Sequence, residues 1–322
     1  MTPGDERLAD PVLGEPRRFT SREVAEAVGV PMHRARRIWR AMGFANVDDA
    51  AVEFTDSDIR ALRTLVDFVA GGLVDEHQVV HLTRLLGRAA GRLAGSHVEL
   101  VTDRLDQAGI HEDDRAAVIG RKARHMTADM EWLLGYAWRR HMGAAIHRLD
   151  PDLAGRVPAT LGVGFADIAG FTELSSQLSD EDLTRAIERF EGRAADIVAE
   201  CGGNVIKLLG DEVLFVAYDA DVTAEIALRL VEAFRHDRMV PGVHIGVSLG
   251  PVVRHLGDVF GTTVNVASRL TAMTGANTIL TTDELANALA SEPRYSVTQV
   301  GKRHVRGIGP IAAYRLTRAS EA

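Results

Sequence analysis

Two patterns of hydrophobic and polar positions divide the chain. Through residue 142, apolar residues recur at helical spacing, with glycine-rich turn signals and few alternating runs, which predicts an all-α helix bundle. From Thr160 onward, short apolar or alternating runs are interspersed with amphipathic helices. Residues 143–158 contain two prolines and two glycines between weakly periodic pieces. The pattern therefore predicts a helical domain over 1–142, a linker or switch segment over 143–158 and a second domain over 159–318.

The second domain is predicted to follow the order βαββαβ, with an antiparallel hairpin at its centre. This order is typical of a ferredoxin-like α+β sandwich. The predicted elements are a strand over 160–167, a helix over 180–200, a hairpin over 204–217, a helix over 222–236, a strand over 243–249, a helix over about 262–274, and strands near 278–280 and 295–300.

Two aspartates are expected to meet at one edge of this sheet. Asp167 follows the apolar run of the first strand, and Asp211 lies in the Gly-Asp turn of the hairpin. In a βαββαβ sheet the first and third strands are neighbours, so the two carboxylates should lie side by side and repel each other unless a cation lies between them. Alone, either aspartate would be interpreted as a helix cap or a turn residue. The pair favours Mg²⁺ or Mn²⁺ carrying a triphosphate.

Backbone N–H groups after the first strand are candidates for holding the phosphate oxygens. They belong to Ile168, Ala169, Gly170, Phe171 and Thr172.

Further along, residues 257–270 combine an acid, an amide and a guanidinium. Asn265 and Arg269 are four residues apart and share one face of the predicted helix, and Asp258 precedes it. Such a pair is common on protein surfaces, but this set can also read a base edge, position a ribose and neutralise phosphate. In the hairpin, Lys207 is one of three lysines in the chain, and Glu212 is interpreted as a solvated strand-edge acid.

Three segments together resemble the signature segments of the class III nucleotide cyclases, the catalytic domains of adenylyl and guanylyl cyclases. They are FADIAGFT (165–172), IKLLGDEVLF (206–215) and GDVFGTTVNVASR (257–269). The resemblance extends from residue 160 to about residue 316 and includes the closing RGIGPIAAYRL.

In that family the catalytic domains pair head to tail, and each active site is assembled across the interface. The resemblance implies that Asp167 and Asp211 of one subunit hold two Mg²⁺ or Mn²⁺ ions. It further implies that Asn265 from the other subunit orients the ribose and that Arg269 stabilises charge at the α-phosphate. A homodimer of this chain would then contain two complete sites.

The resemblance also assigns the base-reading positions to Lys207 and Asp258. Lysine can donate to N1 of adenine and aspartate can accept from its N6 amino group, whereas guanine presents the opposite polarity. ATP is the implied substrate, with cyclic AMP and pyrophosphate as products. Arg306 matches the position of a basic residue that contacts the terminal phosphates.

Two other readings remain open from the residues. LLGDEVLF also resembles the GGDEF hairpin of diguanylate cyclases, although Leu209 replaces a glycine of that motif. The pattern of residues 18–44 predicts a helix, a Gly-Val-Pro turn and a second helix bearing four arginines. This arrangement is typical of helix-turn-helix DNA-binding regulators, so the alternative function is a DNA-binding regulator with a nucleotide-binding C-terminal domain. We do not expect DNA binding, because the chain has a net charge of −8 and contains this unit once.

The helical half and its junction resemble bacterial cyclases in which an N-terminal module inhibits the catalytic domain and responds to acid. Eight of the twelve histidines precede Asp150, and histidine titrates between pH 5 and 8. Protons or a small effector, including a lipid, are therefore candidate signals. These histidines are His33, His77, His81, His97, His111, His125, His141 and His147.

Composition limits the location of the protein. The most apolar segment of the first half is interrupted by charged residues and histidines, so no membrane span is expected. The N-terminus lacks the apolar run of a signal peptide, and the single cysteine excludes a disulfide framework within the chain. We therefore expect a cytoplasmic protein of 322 residues.

Overall fold

The structure is a computed structural model, and it describes residues 12–45, 47–109, 112–147, 159–255, 257–305 and 309–319. The chain divides into two compact units, Met1–Leu149 and Asp150–Ala322, which we name the N-terminal and C-terminal units. Over the described ranges, no helix has the length and apolar character needed to cross a lipid bilayer.

The N-terminal unit is mainly helical, as predicted. Its described elements are β1 (Phe19–Thr20), α1 (Ser21–Val28), α2 (Met32–Met42), β2 (Val52–Phe54), α3 (Asp56–Ala70), α4 (Glu76–Gln107) and α5 (Glu112–His147). The first four helices surround one apolar core. Its buried residues include Val24, Ala35, Ile38, Trp39, Leu62, Leu65, Val79 and Val80.

The predicted pair of helices within residues 18–44 is confirmed as α1 and α2. Helix α1 begins with a capping box, in which Thr20 and Glu23 each accept a hydrogen bond from the other's backbone N–H. Gly29 ends α1 in the left-handed conformation at φ 75°, where glycine carries no steric penalty. Pro31 then precedes α2.

A short antiparallel ribbon of β1 and β2 departs from the all-α prediction. Phe19 pairs with Phe54, and the Phe54 ring lies 4.8 Å from that of Trp39 on α2. Strands of two and three residues carry too little alternation to be recognised in sequence. The ribbon therefore forms because it packs on the helices.

The end of α5 overlaps the predicted linker. Helix α5 continues to His147, so residues 143–147 are helical. The remainder of the predicted switch segment, residues 148–158, lies outside the described residues.

The C-terminal unit is an α+β fold built on one mixed sheet. Its elements are β3 (Ala159–Ile168), α6 (Phe171–Gln177), α7 (Asp180–Glu200), β4 (Asn204–Leu208), β5 (Glu212–Ala217), α8 (Ala220–Phe234), β6 (Val243–His255), β7 (Asp258–Phe260), α9 (Thr262–Ala272), β8 (Thr278–Thr281), α10 (Asp283–Ala288), β9 (Tyr295–Val305) and β10 (Gly309–Arg318). The strand order is β4-β5-β3-β6-β8-β10-β9, and β7 pairs with β6.

The predicted ferredoxin-like order is confirmed in the first half of this sheet. Strands β4, β5, β3 and β6 are neighbours in that order and all pair antiparallel. Strand β8 then joins β6 in parallel, and the antiparallel pair β10 and β9 extends the sheet further. Strand β3 is therefore flanked by β5 and β6, as the prediction for the two aspartates requires.

Helices cover both faces of this sheet. On one face, Phe190 of α7 and Phe234 of α8 pack over Phe215 and Ile245. On the other face, Val264 and Ala267 of α9 pack over a cluster of strand residues. That cluster contains Leu161, Val163, Phe165, Leu214 and Val216.

Helix α9 approaches strand β6 at a glycine. A Cβ atom at Gly246 would lie 2.3 Å from the backbone N of Thr271 and 2.4 Å from the carbonyl O of Ala267. Real Cβ atoms do not come this close to backbone atoms, so any larger residue would displace α9. The absence of a side chain at this position therefore allows α9 to pack directly on β6.

Candidate active site

Asp167 and Asp211 lie together at one end of the sheet, as the sequence predicts. Asp167 is the penultimate residue of β3, and the backbone N–H of Ile168 donates to the carbonyl of Asp211 at 2.9 Å. Gly210 adopts φ 75° in the hairpin turn, and its N–H donates to the carboxylate of Glu191 on α7 at 3.1 Å. The turn bearing Asp211 is thus anchored to both β3 and α7.

The Asp167 carboxylate has a perturbed protonation equilibrium. Burial raises its pKa above the ordinary value, and the charge of Asp211 raises the pKa further. The neighbouring His244 lowers the pKa of Asp167, to a smaller extent. The two aspartates therefore repel each other, as expected of carboxylates arranged to share cations.

Glu212 is a third carboxylate at this site, which corrects its interpretation as a solvated strand-edge acid. It pairs in register with Asp167 across β5 and β3, so both side chains stand on the same face of the sheet. Glu212 is half-buried, and burial together with the charges of Asp167 and Asp211 raises its pKa. The alternation of side chains along β5 contained this information, because Glu212, Leu214 and Val216 are two residues apart and therefore face the same side of the sheet.

His244 is the second residue that sequence reasoning missed. It pairs in register with Asp167 from strand β6, opposite the Glu212 side. The acid of β3 is therefore flanked by a carboxylate on one neighbouring strand and an imidazole on the other. No motif marks this histidine, and its position follows from the strand register alone.

The predicted phosphate-binding backbone is only partly available. The N–H of Ile168 donates to Asp211, and the N–H of Ala169 donates to the carbonyl of Gly242 at 3.0 Å. Both N–H groups already have acceptors within the C-terminal unit, so we no longer assign them to phosphate binding. Gly170, at φ 69°, precedes α6, and Phe171 and Thr172 open that helix, where the first N–H groups have no intrahelical acceptor.

Lys207 and Asp258 form a direct ion pair, with Nζ to Oδ2 at 2.5 Å. Lys207 lies on edge strand β4 and Asp258 at the start of β7, and both side chains are partly exposed, at 43% and 22%. The second oxygen of Asp258 accepts a hydrogen bond from the N–H of Val259 at 2.9 Å. The fold thus brings a cation and an anion from distant parts of the chain to one surface position.

Asn265 and Arg269 lie on the exposed face of α9, as predicted. Val266 and Leu270 of the same helix are buried. The Thr263 hydroxyl donates to the carbonyl of Pro251 at 2.7 Å and ties the start of α9 to β6. Arg306, by contrast, lies outside the described residues.

The acidic cluster fits a hard divalent cation. Mg²⁺ and Mn²⁺ prefer oxygen ligands and are commonly held by one or two carboxylates together with water and substrate phosphates. In the described part of the chain, no three His, Cys, Asp or Glu side chains converge on one point. Asp167 and Asp211 therefore fit a site in which substrate and water supply the remaining ligands.

The raised pKa values predict that neutralising these acids stabilises the metal-free protein. A raised pKa means that the folded state binds the proton more tightly than the unfolded chain does. The resulting stabilisation is fully present below the unfolded pKa values of about 4, and it is lost as the pH rises through the folded pKa values. We expect Asp167→Asn and Glu212→Gln to raise the unfolding temperature by roughly 2–4 °C at about pH 7.5 without divalent cations, the shift that about 1 kcal/mol produces.

Differential scanning fluorimetry in EDTA, at about pH 7.5 and about pH 5, measures this effect. Glu188→Gln is the matched control, because Glu188 is an exposed acid on α7. The gain should shrink at the lower pH and on addition of Mn²⁺. An unchanged or lower unfolding temperature for both variants at the higher pH would contradict the prediction.

Both parts of the chain match models of known families. Residues 158–318 match the model described as the adenylate and guanylate cyclase catalytic domain, and residues 8–140 match the adenylate cyclase regulatory domain.

Named relatives agree with these matches. An adenylate cyclase of Streptomyces coelicolor is 36% identical over 97% of this chain and 89% of its own length. One of Streptomyces griseus is 38% identical over 88% and 71%. The pH-sensitive adenylate cyclase of Mycobacterium tuberculosis is 30% identical over 99% and 85%. The adenylyl cyclase CyaB of P. aeruginosa, a solved structure, is 23% identical with a TM-score of 0.44, covering 50% of this chain and 95% of its own.

Proposed function

The chain belongs to the family of adenylate and guanylate cyclases, and from that premise we propose that it is an adenylyl cyclase converting ATP to 3′,5′-cyclic AMP and pyrophosphate. The observation that supports ATP most directly is the contact between Lys207 and Asp258. An ammonium can donate to N1 of adenine while a carboxylate accepts from its N6 amino group. Guanine carries a donor at N1 and an acceptor at O6, so the same pair disfavours GTP.

We assign Asp167 and Asp211 to holding two divalent cations, Mg²⁺ or Mn²⁺, in each site. Bound there, such ions would acidify the ribose 3′-hydroxyl and neutralise the triphosphate. The support is the adjacency of the two carboxylates and the rise in the pKa of Asp167 that Asp211 contributes to. Glu212 adds negative charge beside them.

The remaining groups position the reacting atoms. Asn265 orients the ribose so that its 3′-oxygen attacks the α-phosphorus in line with the departing pyrophosphate. Arg269 stabilises the charge that develops on the α-phosphate oxygens. Backbone N–H groups of Gly170 to Thr172 bind phosphate oxygens, and Arg306 is assigned to the terminal phosphates.

We further propose that two copies of the chain share each active site. In this arrangement Asp167 and Asp211 come from one copy, while Lys207, Asp258 and the exposed pair on α9 come from the other. The support is the family resemblance, together with the ion pair that groups Lys207 with Asp258 within one chain. A homodimer then has two complete sites.

The N-terminal part is proposed to regulate this activity, with residues 1–142 as the regulatory domain, 143–158 as the switch and 159–318 as the catalytic domain. The match of residues 8–140 to the adenylate cyclase regulatory domain supports this role. Protons are the proposed signal, supported by the histidine-rich first half and by the name of the relative from Mycobacterium tuberculosis.

The structure does not favour a role for α2 in reading DNA. Of its four arginines, Arg34 forms an ion pair with Glu76 at 2.6 Å and Arg36 forms one with Asp49. A pocket of about 650 Å³ beside α2 is lined by acids as well as by arginines. Cations engaged by acids of the same unit contribute little to phosphate binding, so we do not propose DNA binding.

The test is turnover of ATP and GTP by the purified full-length protein with Mn²⁺, at about pH 6 and about pH 8, with the cyclic nucleotides detected directly. We expect cyclic AMP from ATP, and more of it at the acidic pH. A chain starting near Asp150 should lose the pH response while remaining active. Absence of cyclic product from both proteins would refute the catalytic proposal, and an identical pH profile for both would refute the regulatory one.

A further inference from the structure

Two histidines face each other at the start of helix α4. His77 and His81 are four residues apart, so their side chains project from the same face on successive turns. The ring centroids are 4.4 Å apart, and the two Nε2 atoms are separated by 3.3 Å. His77 is exposed and His81 is half-buried.

The separation of the two nitrogens matches the geometry of a tetrahedral metal ion. Zinc binds imidazole nitrogen at about 2.0–2.1 Å, so two ligands at a tetrahedral angle lie roughly 3.3–3.4 Å apart. Two ligands at a right angle, as in octahedral or square-planar ions, would be about 2.9 Å apart. The observed 3.3 Å therefore matches the nitrogen spacing of a tetrahedral ion, which the two rings could bind after a small rotation.

The neighbouring acids are committed to other partners. The Asp75 carboxylate caps α4 by accepting from the N–H groups of His77 and Gln78, at 2.8 and 2.7 Å. Glu76 forms its ion pair with Arg34 of α2. Within the described ranges, no third His, Cys, Asp or Glu completes a closed set of ligands around the two rings. Water or another small ligand would fill the remaining positions.

We propose that His77 and His81 form a binding site for a tetrahedral divalent transition-metal ion, best matched by Zn²⁺, on the N-terminal unit. The site differs in chemistry from the acidic cluster of β3 and β5. Imidazole suits zinc, copper and nickel, whereas Mg²⁺ and Mn²⁺ prefer oxygen. The two sites therefore differ in the class of ion that their ligands favour.

Metal binding at this site would stabilise the first turns of α4. An ion held by residues four apart links two successive turns, and the intervening Val79 and Val80 are buried in the core shared with α1, α2 and α3. Any ligand that binds the folded state alone stabilises it by mass action. Zinc should therefore raise the unfolding temperature of the protein.

Zinc binding to the full-length protein is measured by competition with a chromogenic zinc chelator, in excess Mg²⁺. The experiment uses the Asp167→Asn/Asp211→Asn background, so that the acidic cluster does not contribute. Loss of a residue that merely orients a metal ligand weakens binding 10–100-fold, so we expect His77→Gln or His81→Gln to weaken it by at least about tenfold. Both variants should also abolish the zinc-dependent rise in unfolding temperature.

His97→Gln is the matched control, because His97 lies on the same helix beyond the facing pair. It should bind zinc as tightly as the parent protein. If the two histidines only share a hydrogen bond, zinc affinity and zinc-dependent stability should be similar in the parent and in the three glutamine variants, because glutamine keeps a hydrogen-bonding group. That outcome would overturn the proposal. Circular dichroism of each variant verifies that α-helical content is retained.

Discussion

Protein carrying Asp211→Ala, mixed with protein carrying Arg269→Ala, will form cyclic AMP although neither variant does so alone. Asp211→Ala removes a carboxylate assigned to the metal ions, and Arg269→Ala removes the cation assigned to the α-phosphate. Each loss should lower kcat by about 10²–10³-fold or more, the cost of removing one electrostatic contact to a transition state. In a mixed dimer, one of the two shared sites has both groups intact.

The expected recovery is quantitative. Random reassortment of equal amounts gives mixed dimers as half of the population, each with one intact site, so the mixture should reach about a quarter of the wild-type activity. Steady-state rates at several mixing ratios measure this value. Asp211→Ala mixed with Asp167→Ala is the matched control, because both changes damage the same set of residues and no intact site can form.

Activity restored in the control mixture would show that recovery has another cause. No recovery in the test mixture, with dimers confirmed by sedimentation, would show that each chain works with its own residues. The shared-site proposal would then be wrong, while the assignment of the two aspartates could still stand.

Inverting the ion pair between Lys207 and Asp258 is expected to reverse the base preference. The parent ion pair is 2.5 Å long, and Lys207→Glu/Asp258→Lys retains one positive and one negative charge at these positions but exchanges donor for acceptor at the base edge. A site built to hydrogen-bond one base leaves its polar groups unpaired against another, so the ratio of kcat/KM for ATP to that for GTP should fall by about 10²–10³-fold.

Initial rates with both nucleotides determine this ratio. The double inversion leaves the net charge unchanged, so Lys302→Glu, at an exposed position on strand β9, is the net-charge control for the single Lys207→Glu variant. Each single inversion should be less active than the double variant, since two like charges then face each other. An unchanged ratio in a folded double variant would exclude this pair as the base reader.

The topology of the site could be predicted from the sequence, but its details could not. The βαββαβ order is sufficient to place Asp167 beside Asp211, because it fixes which strands are neighbours. The contact between Lys207 and Asp258 depends on the three-residue strand β7 and on a register irregularity between Val205 and Lys207. Neither feature has a pattern that distinguishes it from a loop.

The missed residues have physical explanations as well. Glu212 and His244 lie beside Asp167 through strand register, which depends on tertiary pairing. The N–H groups of Ile168 and Ala169 are occupied because the hairpin turn and Gly242 approach the end of β3. Strands near residues 278–280 and 295–300 were predicted and are present as β8 and β9, but their places in the sheet follow from pairings between distant segments, and β10 was not predicted.

The close packing of α9 on β6 at Gly246 limits where control can act. Because α9 packs this closely on β6, we expect Asn265 and Arg269 to keep their positions relative to strand β3, which carries Asp167, and to the hairpin turn that carries Asp211. The geometry within one chain is then a constant. In the proposed homodimer, a regulatory signal would therefore act by changing how the catalytic parts of the two copies are oriented toward each other.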